Sequence, residues 1–468
     1  MKKDESFSKV MVLAGLISVL TLGFTFGAVA QEKIGPITVS MWSGPEYDNL
    51  VNCARYYEQK TGRKVFIEEI AREALREKTT TVLMAKKGRY DVSYVDKAWI
   101  GGYTKARLLQ PLNDFIENPD VAASWFSVDN LKPPIDDLAM DGKMYGFPSE
   151  GDCQFLFWRT DLFDHPEEKA AFKAKYGYEL KVPETWKVYL DVARFFTRKK
   201  GERLAGKILK DDFYGTTLEG KRTEACWEIA TFLYGYEGGK IIDPETFEVV
   251  VNKPEAVAGF TFYTDLLRKW HVVSPDVPTW GYPEVSAAFG GGHTAMAMQW
   301  MAAVAEFNDP ARSAGLWKDG KRLFEYTVAP GREIEGKIKY RAVQASQWGY
   351  IIPANAPNPV GAYKFIEWLT GPEGAKMWAL NGGIPCNKLA LTDPEVLEKQ
   401  PMFKVLADSY PYRRTIPHYV KTSIDYEIQD AVGLACNQMV IGVKTPQEAA
   451  NELAKTIEEA LRREGYFK

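Results

Sequence analysis

The first hundred residues alternate short apolar runs with segments in which apolar residues recur at helical spacing. We predict strands at 37–42, 64–70 and 91–96, because β-branched and other apolar residues dominate each run. Helices are predicted between them, one ending at Gly62 and the other spanning 71–85, because apolar residues recur there every three or four positions. A β-α-β-α-β order predicts a parallel sheet with crossover helices on its faces.

Beyond residue 148, helical patterns predominate and strand-like runs are few. The strand-like runs lie at 155–159, 295–301 and 348–352. The helical segments lie at 183–196, 224–234, 254–270, 282–289 and 360–369, after Pro372, and at 446–463. The pattern therefore predicts an α/β protein in which a second lobe begins near residue 148.

Composition and charge narrow the range of functions. The 59 Lys and Arg residues against 62 Asp and Glu give a net charge of -3, without the basic excess typical of nucleic-acid binding. We therefore expect no nucleic-acid partner. The chain also has 13 Trp residues, whose flat apolar faces suit stacking against ligands with apolar faces and polar edges, such as sugars.

The N-terminus has the pattern of an export signal. Lys2, Lys3 and Lys9 precede an apolar run from residue 10 to about 26, and the small-x-small sequence 28–30 follows it. We predict a signal peptide over residues 1–30, cleaved after Ala30, and location in the periplasm; a retained membrane anchor is the alternative. The first cysteine, Cys53, lies too far from this point for lipid attachment at the cleavage site, so the mature protein is expected to be soluble.

Motifs for metal, cofactor or nucleophilic chemistry are missing from the sequence. The five cysteines include no CxxC pair, the four histidines include no HExxH, and no GxSxG is present. We therefore expect no metal site and no cofactor. The sequence leaves open whether any two cysteines pair.

Seven motifs spread over the chain carry a family resemblance. They are Ile37–Trp42 followed by a helix, the segments 90–96 (YDVSYVD), 141–148 (DGKMYGFP), 182–186 (VPETW) and 292–296 (GHTAM), the segment 362–369 with Gly371-Pro-Glu-Gly, and 445–449 (TPQEA). By these motifs, in this order, the chain resembles the bacterial extracellular solute-binding proteins of family 1, the maltose-binding-protein-like components of ABC importers.

The resemblance implies a fold and a division into lobes. The fold is a two-lobed α/β periplasmic-binding-protein fold with parallel-rich sheets flanked by helices and a ligand cleft between the lobes. Carried onto this sequence, one lobe comprises 31–147 plus about 293–345, and the other about 148–292 plus 346–468. Closure on the ligand would be a hinge motion of these lobes.

Two chemical rules select the first candidate ligand-binding residues. Ligands of open α/β sheets bind beyond the carboxyl ends of the strands. Sugar recognition uses planar side chains that pair with hydroxyls, together with aromatic faces. Trp42 and Glu46 follow the first strand, and Asp96 and Trp99 follow the third. The alternative is that the tryptophans belong to the core and the carboxylates cap helices.

The remaining candidates come from the expected crossing between lobes and from the resemblance. Glu150 and Asp152 follow the crossing near residue 148, and Asp152 matches a ligand-binding acid of similar proteins. Trp227 matches a position where related chains present an aromatic ring to the ligand. The others are Trp280, Trp300 and Trp348 beside crossings or later strands, and Arg414 before the Pro-x-Tyr segment 417–419. Core packing and surface salt bridges are the alternatives.

These observations predict a binding protein and not an enzyme. We expect a monomer that captures a mono- to trisaccharide by lobe closure and delivers it to the permease subunits of an ABC transporter. One alternative is a binder of a non-sugar solute, such as a polyol, peptide or polyamine. Another is a secreted carbohydrate-cleaving enzyme, since the two carboxylates of a glycosidase can come from any part of a chain.

Overall fold

The computed structural model describes residues 35–131, 135–345, 348–415 and 421–466. The predicted signal peptide and its cleavage after Ala30 lie outside the described residues, as does the segment 417–419. Within the described ranges, no helix is long and apolar enough to cross a membrane. All five cysteines are buried free thiols.

Strands and helices alternate through most of the chain. The strands are β1 (Ile37–Trp42), β2 (Val65–Ile70), β3 (Val92–Asp96), β4 (Ala139–Met140), β5 (Lys143–Met144), β6 (Gly146–Pro148), β7 (Gln154–Arg159), β8 (Arg203–Leu204), β9 (Lys207–Ile208), β10 (Met296–Trp300), β11 (Trp317–Lys318), β12 (Lys321–Arg322), β13 (Phe324–Val328), β14 (Gly331–Ile334), β15 (Lys337–Arg341), β16 (Val343–Gln344), β17 (Trp348–Ile351) and β18 (Arg413–Arg414). The helices are α1 (Pro45–Thr61), α2 (Leu75–Met84), α3 (Lys97–Lys105), α4 (Asn113–Ile116), α5 (Thr160–Phe163), α6 (Pro166–Tyr176), α7 (Trp186–Phe196), α8 (Ala225–Tyr236), α9 (Pro254–Arg268), α10 (Tyr282–Gly290), α11 (Ala303–Phe307), α12 (Pro359–Thr370), α13 (Pro372–Leu380), α14 (Lys388–Leu391), α15 (Pro394–Lys399), α16 (Met402–Ser409), α17 (Asp425–Ile441) and α18 (Pro446–Arg463). The predicted strands and the longer predicted helices are confirmed within a few residues.

Local sequence determines where the helices begin and end. Helix α1 has proline in its first turn, where the missing N–H costs nothing, and it ends at Gly62, whose φ of 72° is a left-handed conformation that suits glycine. Helix α18 begins with a capping box, in which Thr445 accepts a hydrogen bond from the Glu448 N–H and Glu448 accepts one from the Thr445 N–H.

A five-stranded sheet forms the centre of one lobe, in the order β2-β1-β3-β17-β6. β1 pairs in parallel with β2 and β3, as the βαβαβ pattern predicts. β17 is antiparallel to both β3 and β6. The core around this sheet is built from residues within 37–147 and 348–378. We call this half of the molecule the β1 lobe.

A second, three-stranded sheet forms the centre of the other lobe, in the order β10-β7-β13. β10 and β13 are both antiparallel to β7, so the parallel pairing expected of both sheets is absent from this one. Its core is built from residues within 153–345 and 379–461, among them helices α7, α8, α9, α17 and α18. We call this half the β7 lobe.

The structure corrects the expected division of the chain. The segment 293–345 was assigned to the first lobe, but β10 and β13 lie on either side of β7 and their buried residues belong to the core of the β7 lobe. The segment 348–378 was assigned to the second lobe, but β17 fills the gap between β3 and β6 in the β1 lobe. The reason is that β7, buried on nearly every residue, requires a partner strand at each edge.

The core residues of the described ranges therefore place three connections between the lobes. The chain passes from the β1 lobe to the β7 lobe between Pro148 and Cys153, returns between Ala345 and Trp348, and passes over again after Trp378. The lobe boundary expected near residue 293 is wrong, because Phe289 and Ala295 on either side of it both lie in the core of the β7 lobe.

Candidate functional site

A cavity of about 300 Å³ lies between the lobes. Its walls come from the ends of β1, β2, β10 and β17, from the first connecting segment, and from the starts of helices α8 and α10. We call it the cleft cavity. The β1 lobe contributes Trp42, Ser43, Pro45, Glu46, Arg72, Glu73 and Trp348; the connecting segment contributes Glu150 and Asp152; the β7 lobe contributes Trp227, Tyr282, Pro283, Trp300 and Ala302. Seven of the eleven predicted ligand-binding residues line it.

The tryptophans of the cavity fall into two pairs with different surroundings. Trp42 and Trp348 contact each other, with ring centroids 4.2 Å apart, and Tyr94 stacks on Trp348 at 5.3 Å. This stacking leaves Trp42 only 5% and Trp348 only 8% exposed. Trp227 and Trp300, on the opposite wall, are half-buried. The rings of the β7 lobe therefore offer more free surface for stacking on a ligand.

The carboxylates of the cavity are held by fixed partners. Glu46 accepts a hydrogen bond from Trp42 Nε1 over 3.2 Å, which places its side chain at the end of β1. Asp152 accepts hydrogen bonds from the backbone N–H groups of Cys153 over 2.7 Å and Ala302 over 3.3 Å. Burial raises the pKa of Asp152 to about 7, although these backbone donors lower it. Its carboxyl group can therefore either accept or donate a hydrogen bond near neutral pH.

The connecting segment that carries Glu150 and Asp152 is held by hydrogen bonds to two later parts of the chain. The Gly151 N–H donates to the Ile384 carbonyl over 3.1 Å, and Arg413 Nη1 donates to the Gly151 carbonyl over 3.0 Å. The N–H and the carbonyl of Gly151 therefore both have hydrogen-bond partners in segments that come much later in the chain. This arrangement holds Glu150 and Asp152, on either side of Gly151, against the cavity.

Arg72 is a lining residue that the sequence analysis missed. Its guanidinium carbon lies 4.6 Å from the centroid of the Trp42 ring. Its Nη2 atom lies 3.7 Å from Oε2 of Glu224, just before α8. The strand-end rule that selected Trp42 could have found it, because Arg72 follows β2 by two residues.

Tyr282 is a second missed lining residue. It is the first residue of α10, and the predicted start of a helix at this position could have identified it as a candidate. Burial, followed by the charges of Glu46, Glu306 and Asp152, raises the pKa of its hydroxyl. Tyr282 therefore stays protonated and can donate a hydrogen bond into the cavity.

Four predicted ligand-binding residues are not among those that line the cavity. Asp96 is 1% exposed and accepts a hydrogen bond from the Ala98 N–H over 2.7 Å, so it caps α3. Trp99 packs edge-on against Trp348. Trp280 packs on the core of the β7 lobe, and Arg414 donates to the carbonyls of Pro411 and Arg413. Asp96 therefore caps a helix and Trp99 packs against another tryptophan, as the alternative interpretations of these two residues state.

The described part of the chain contains no cluster of three or more His, Cys, Asp or Glu side chains placed to hold a metal ion. The cleft cavity instead combines aromatic rings, carboxylates and one guanidinium. This combination suits noncovalent recognition of a polar ligand that has apolar faces.

Comparison with known proteins agrees with the fold. The sequence model of the family described as bacterial extracellular solute-binding protein matches residues 53–404. A probable amino-acid ABC transporter periplasmic-binding protein of Sinorhizobium fredii (strain NBRC 101917 / NGR234) is 22% identical over 332 residues, which make up 70% of this chain and 67% of that protein.

Two solved structures show the same two-lobed fold. Maltose-bound MalE3 of T. maritima has a TM-score of 0.73 and 20% identity, with 91% of this chain and 100% of that chain covered. A solute-binding protein of an ABC transporter from Agrobacterium radiobacter K84, in complex with ribitol, has a TM-score of 0.71 and 23% identity, with 91% and 98% covered. Since the family model also spans well over half of the sequence, this chain belongs to the bacterial extracellular solute-binding proteins.

Proposed function

We propose that this protein is the periplasmic substrate-binding component of an ABC importer, which captures a sugar of one to three units or a related polyol and releases it unchanged to the permease. The observation that carries the proposal is the cleft cavity, which is lined both by half-buried Trp227 and Trp300 and by the carboxylates of Glu46, Glu150 and Asp152. Aromatic faces suit the C–H side of a sugar ring, and carboxylates accept hydrogen bonds from its hydroxyls.

The proposal has support from the position of the site and from the N-terminal sequence. The cavity lies between the lobes and beside the connecting segment 148–153, so closure of the lobes would enclose a ligand. The export pattern of residues 1–30 is consistent with a periplasmic location. Bound maltose and bound ribitol in proteins of the same fold support the sugar and polyol classes.

An amino acid is the second candidate ligand. The S. fredii relative has a name that assigns it to amino-acid transport. The cleft cavity also holds Arg72 opposite several carboxylates, which could take the two charged ends of an amino acid. Arg72 already has Glu224 as a partner, however, so less of its charge is free for a ligand carboxylate.

A thermal-shift panel tests the proposal. The purified protein is heated with neutral mono-, di- and trisaccharides, polyols, amino acids and polyamines, and the mixtures are then analysed for products. A ligand at 100 times its Kd adds about 2.7 kcal/mol to the free energy of unfolding. Stabilisation by a sugar or polyol that is recovered intact is expected. Stabilisation by amino acids or polyamines alone contradicts the proposed ligand class, and a cleaved sugar indicates an enzyme.

Substitution of one tryptophan tests the stacking role. Trp227→Ala removes a half-buried ring from the cavity wall and should weaken ligand binding by about tenfold, because the loss of one aromatic contact costs about 1.4 kcal/mol. Trp125→Ala is the matched control, since Trp125 is 49% exposed and is not a lining residue. Calorimetric titration should show an unchanged Kd for the control. Equal Kd values for the two variants would mean that Trp227 does not stack on the ligand.

A further inference from the structure

An ion pair joins the two lobes at the cleft cavity. Arg72, in the turn after β2 of the β1 lobe, places Nη2 3.7 Å from Oε2 of Glu224, which precedes α8 in the β7 lobe. Arg72 lines the cavity, whereas Glu224 is not among the lining residues. The pair therefore spans the cleft although one of its members is not placed to contact a ligand.

Each partner is held in place by its own lobe. The Arg72 guanidinium lies over the Trp42 ring at 4.6 Å. The Glu224 side chain lies against the backbone of Gly281, where an added Cβ would come within 2.5 Å of Glu224 Cγ. The side chains of Arg72 and Glu224 are 37% and 17% exposed. Because both are already ordered, pairing costs little additional side-chain entropy.

Acidic side chains of both lobes act on Arg72. Burial lowers its pKa, but the charges of Glu224, Glu46 and Glu219 raise it by more. Glu219 belongs to the β7 lobe and is fully buried, and burial raises the pKa of its carboxyl group, so the charge of Glu224 is the principal attraction that this lobe exerts on Arg72. Among the described residues, Glu224 is therefore the acid of the β7 lobe that pairs with Arg72 across the cleft.

We propose that Arg72 is a positioning residue that holds the cleft closed through its ion pair with Glu224, so that part of the closed population exists without ligand. The inference rests on the proposed function, in which the lobes open and close around a solute. A pair that forms only in the closed state shifts the equilibrium toward that state by its own free energy, whatever ligand is bound. Arg72 would then assist capture of any ligand that fits between the lobes.

A second ion pair between the lobes provides a matched control. Lys105 of α3 pairs with Glu464 after α18, and neither residue lines the cleft cavity. Near this pair, Gly101 of α3 approaches the Thr422 carbonyl so closely that an added Cβ would lie 2.0 Å from it. The two lobes are in backbone contact there, so this pair does not depend on closure of the cavity. Lys105→Gln should therefore leave the open and closed populations unchanged.

Small-angle X-ray scattering of the ligand-free protein tests the proposal without a known ligand. We expect the ratio of closed to open molecules to fall about threefold to fivefold in both Arg72→Gln and Glu224→Gln, the effect of a partly exposed ion pair, and to stay at the wild-type value in Lys105→Gln. The double variant should be no more open than either single variant, and Arg72→Lys should recover part of the closed fraction. High salt should open the wild-type protein in the same way.

Three results would overturn the proposal. They are a wild-type protein that is already fully open without ligand, a closed fraction unchanged by either substitution, and opening by Arg72→Gln without opening by Glu224→Gln. Each variant is first checked for a wild-type melting temperature, and Glu224→Gln, which keeps the shape of the side chain, replaces Arg72→Gln if the latter unfolds.

Titration with maltose and with ribitol separates this proposal from the proposed function. If either compound binds, the two Gln variants should weaken its binding by a common factor of about three to five, mainly through faster dissociation. If neither these nor other sugars and polyols bind, the proposed function fails, and the scattering result alone decides whether Arg72 holds the cleft closed.

Discussion

Asp96 is expected to make folding stability depend on pH, because it is a buried carboxylate with one unpaired oxygen. One oxygen accepts from the Ala98 N–H, and Oδ2 has no hydrogen-bond partner among the described residues. Burial raises the pKa of Asp96 to about 7; the Ala98 N–H, Lys97 and Arg72 lower it, and Asp425 raises it further. The folded protein therefore binds this proton more tightly than the unfolded chain does.

The direction and size of the effect follow from the two pKa values. With a pKa of about 3.9 in the unfolded chain and about 7 in the folded protein, stability falls as pH rises between these values. Relative to a pH low enough to protonate Asp96 in both states, its ionisation lowers the free energy of unfolding by about 1.5 kcal/mol at pH 5 and by about 4 kcal/mol at pH 8. Asp96→Asn removes the charge and keeps a capping oxygen. Its stability relative to wild type should therefore rise by about 2.5 kcal/mol between pH 5 and pH 8.

Urea unfolding at pH 5 and pH 8, followed by tryptophan fluorescence, measures this change. Any fixed cost of burying the amide, about 1–3 kcal/mol, is the same at both pH values and cancels. Asp393→Asn is the control, because Asp393 caps α15 and Lys376 lowers its pKa, so both of its pKa values lie below 5. The difference in free energy of unfolding between Asp393→Asn and the wild type should therefore be the same at pH 5 and at pH 8. If the free energy of unfolding of Asp96→Asn also differed from that of the wild type by the same amount at both pH values, the reasoning would be refuted. Ligand affinity should be unaffected, because Asp96 is not a lining residue of the cleft cavity.

Two further substitutions test the close packing of helix α3 and the N-terminal cap of helix α18. Gly101→Ala should destabilise the protein by about 2 kcal/mol in thermal unfolding, because the added Cβ would lie 2.0 Å from the Thr422 carbonyl oxygen. Gly102→Ala is the control: its added Cβ would have its nearest neighbour at 3.4 Å, so this variant should be neutral or slightly stabilising. Thr445→Ala should cost about 1 kcal/mol by removing the capping box with Glu448, and Thr445→Ser should retain most of that stability in urea unfolding; equal losses for the two would argue against the cap.

Short-range features of the fold could be predicted from the sequence, and long-range pairing could not. The strand at Ile37–Trp42, the end of α1 at Gly62 and the start of α18 follow from local pattern and capping chemistry. The insertion of β17 between β3 and β6 depends on contacts between residues about two hundred positions apart. No local pattern encodes such pairing, and the expected division of the lobes was wrong for this reason.

The candidate site shows the same limit. The strand-end rule correctly brought Trp42 and Glu46 to the cavity, but it also selected Asp96, whose carboxylate turns back to cap the following helix. The same rule also points to Arg72, which lies two residues beyond the end of β2. Which side of a strand end faces the cleft depends on the packing of the opposite lobe, which the sequence does not reveal.

The position of β17 also determines when the β1 lobe can fold during synthesis. Ser149 Oγ donates to the Trp348 carbonyl, which is 199 residues later in the chain, and β17 lies between β3 and β6 in a sheet whose other strands end at Pro148. At about 5–20 residues per second, β3 and β6 wait roughly 10 to 40 seconds for their common partner. Throughout that interval the nascent chain lacks a complete sheet in its N-terminal half. The five-stranded sheet of the β1 lobe can therefore be completed only after most of the chain has been made.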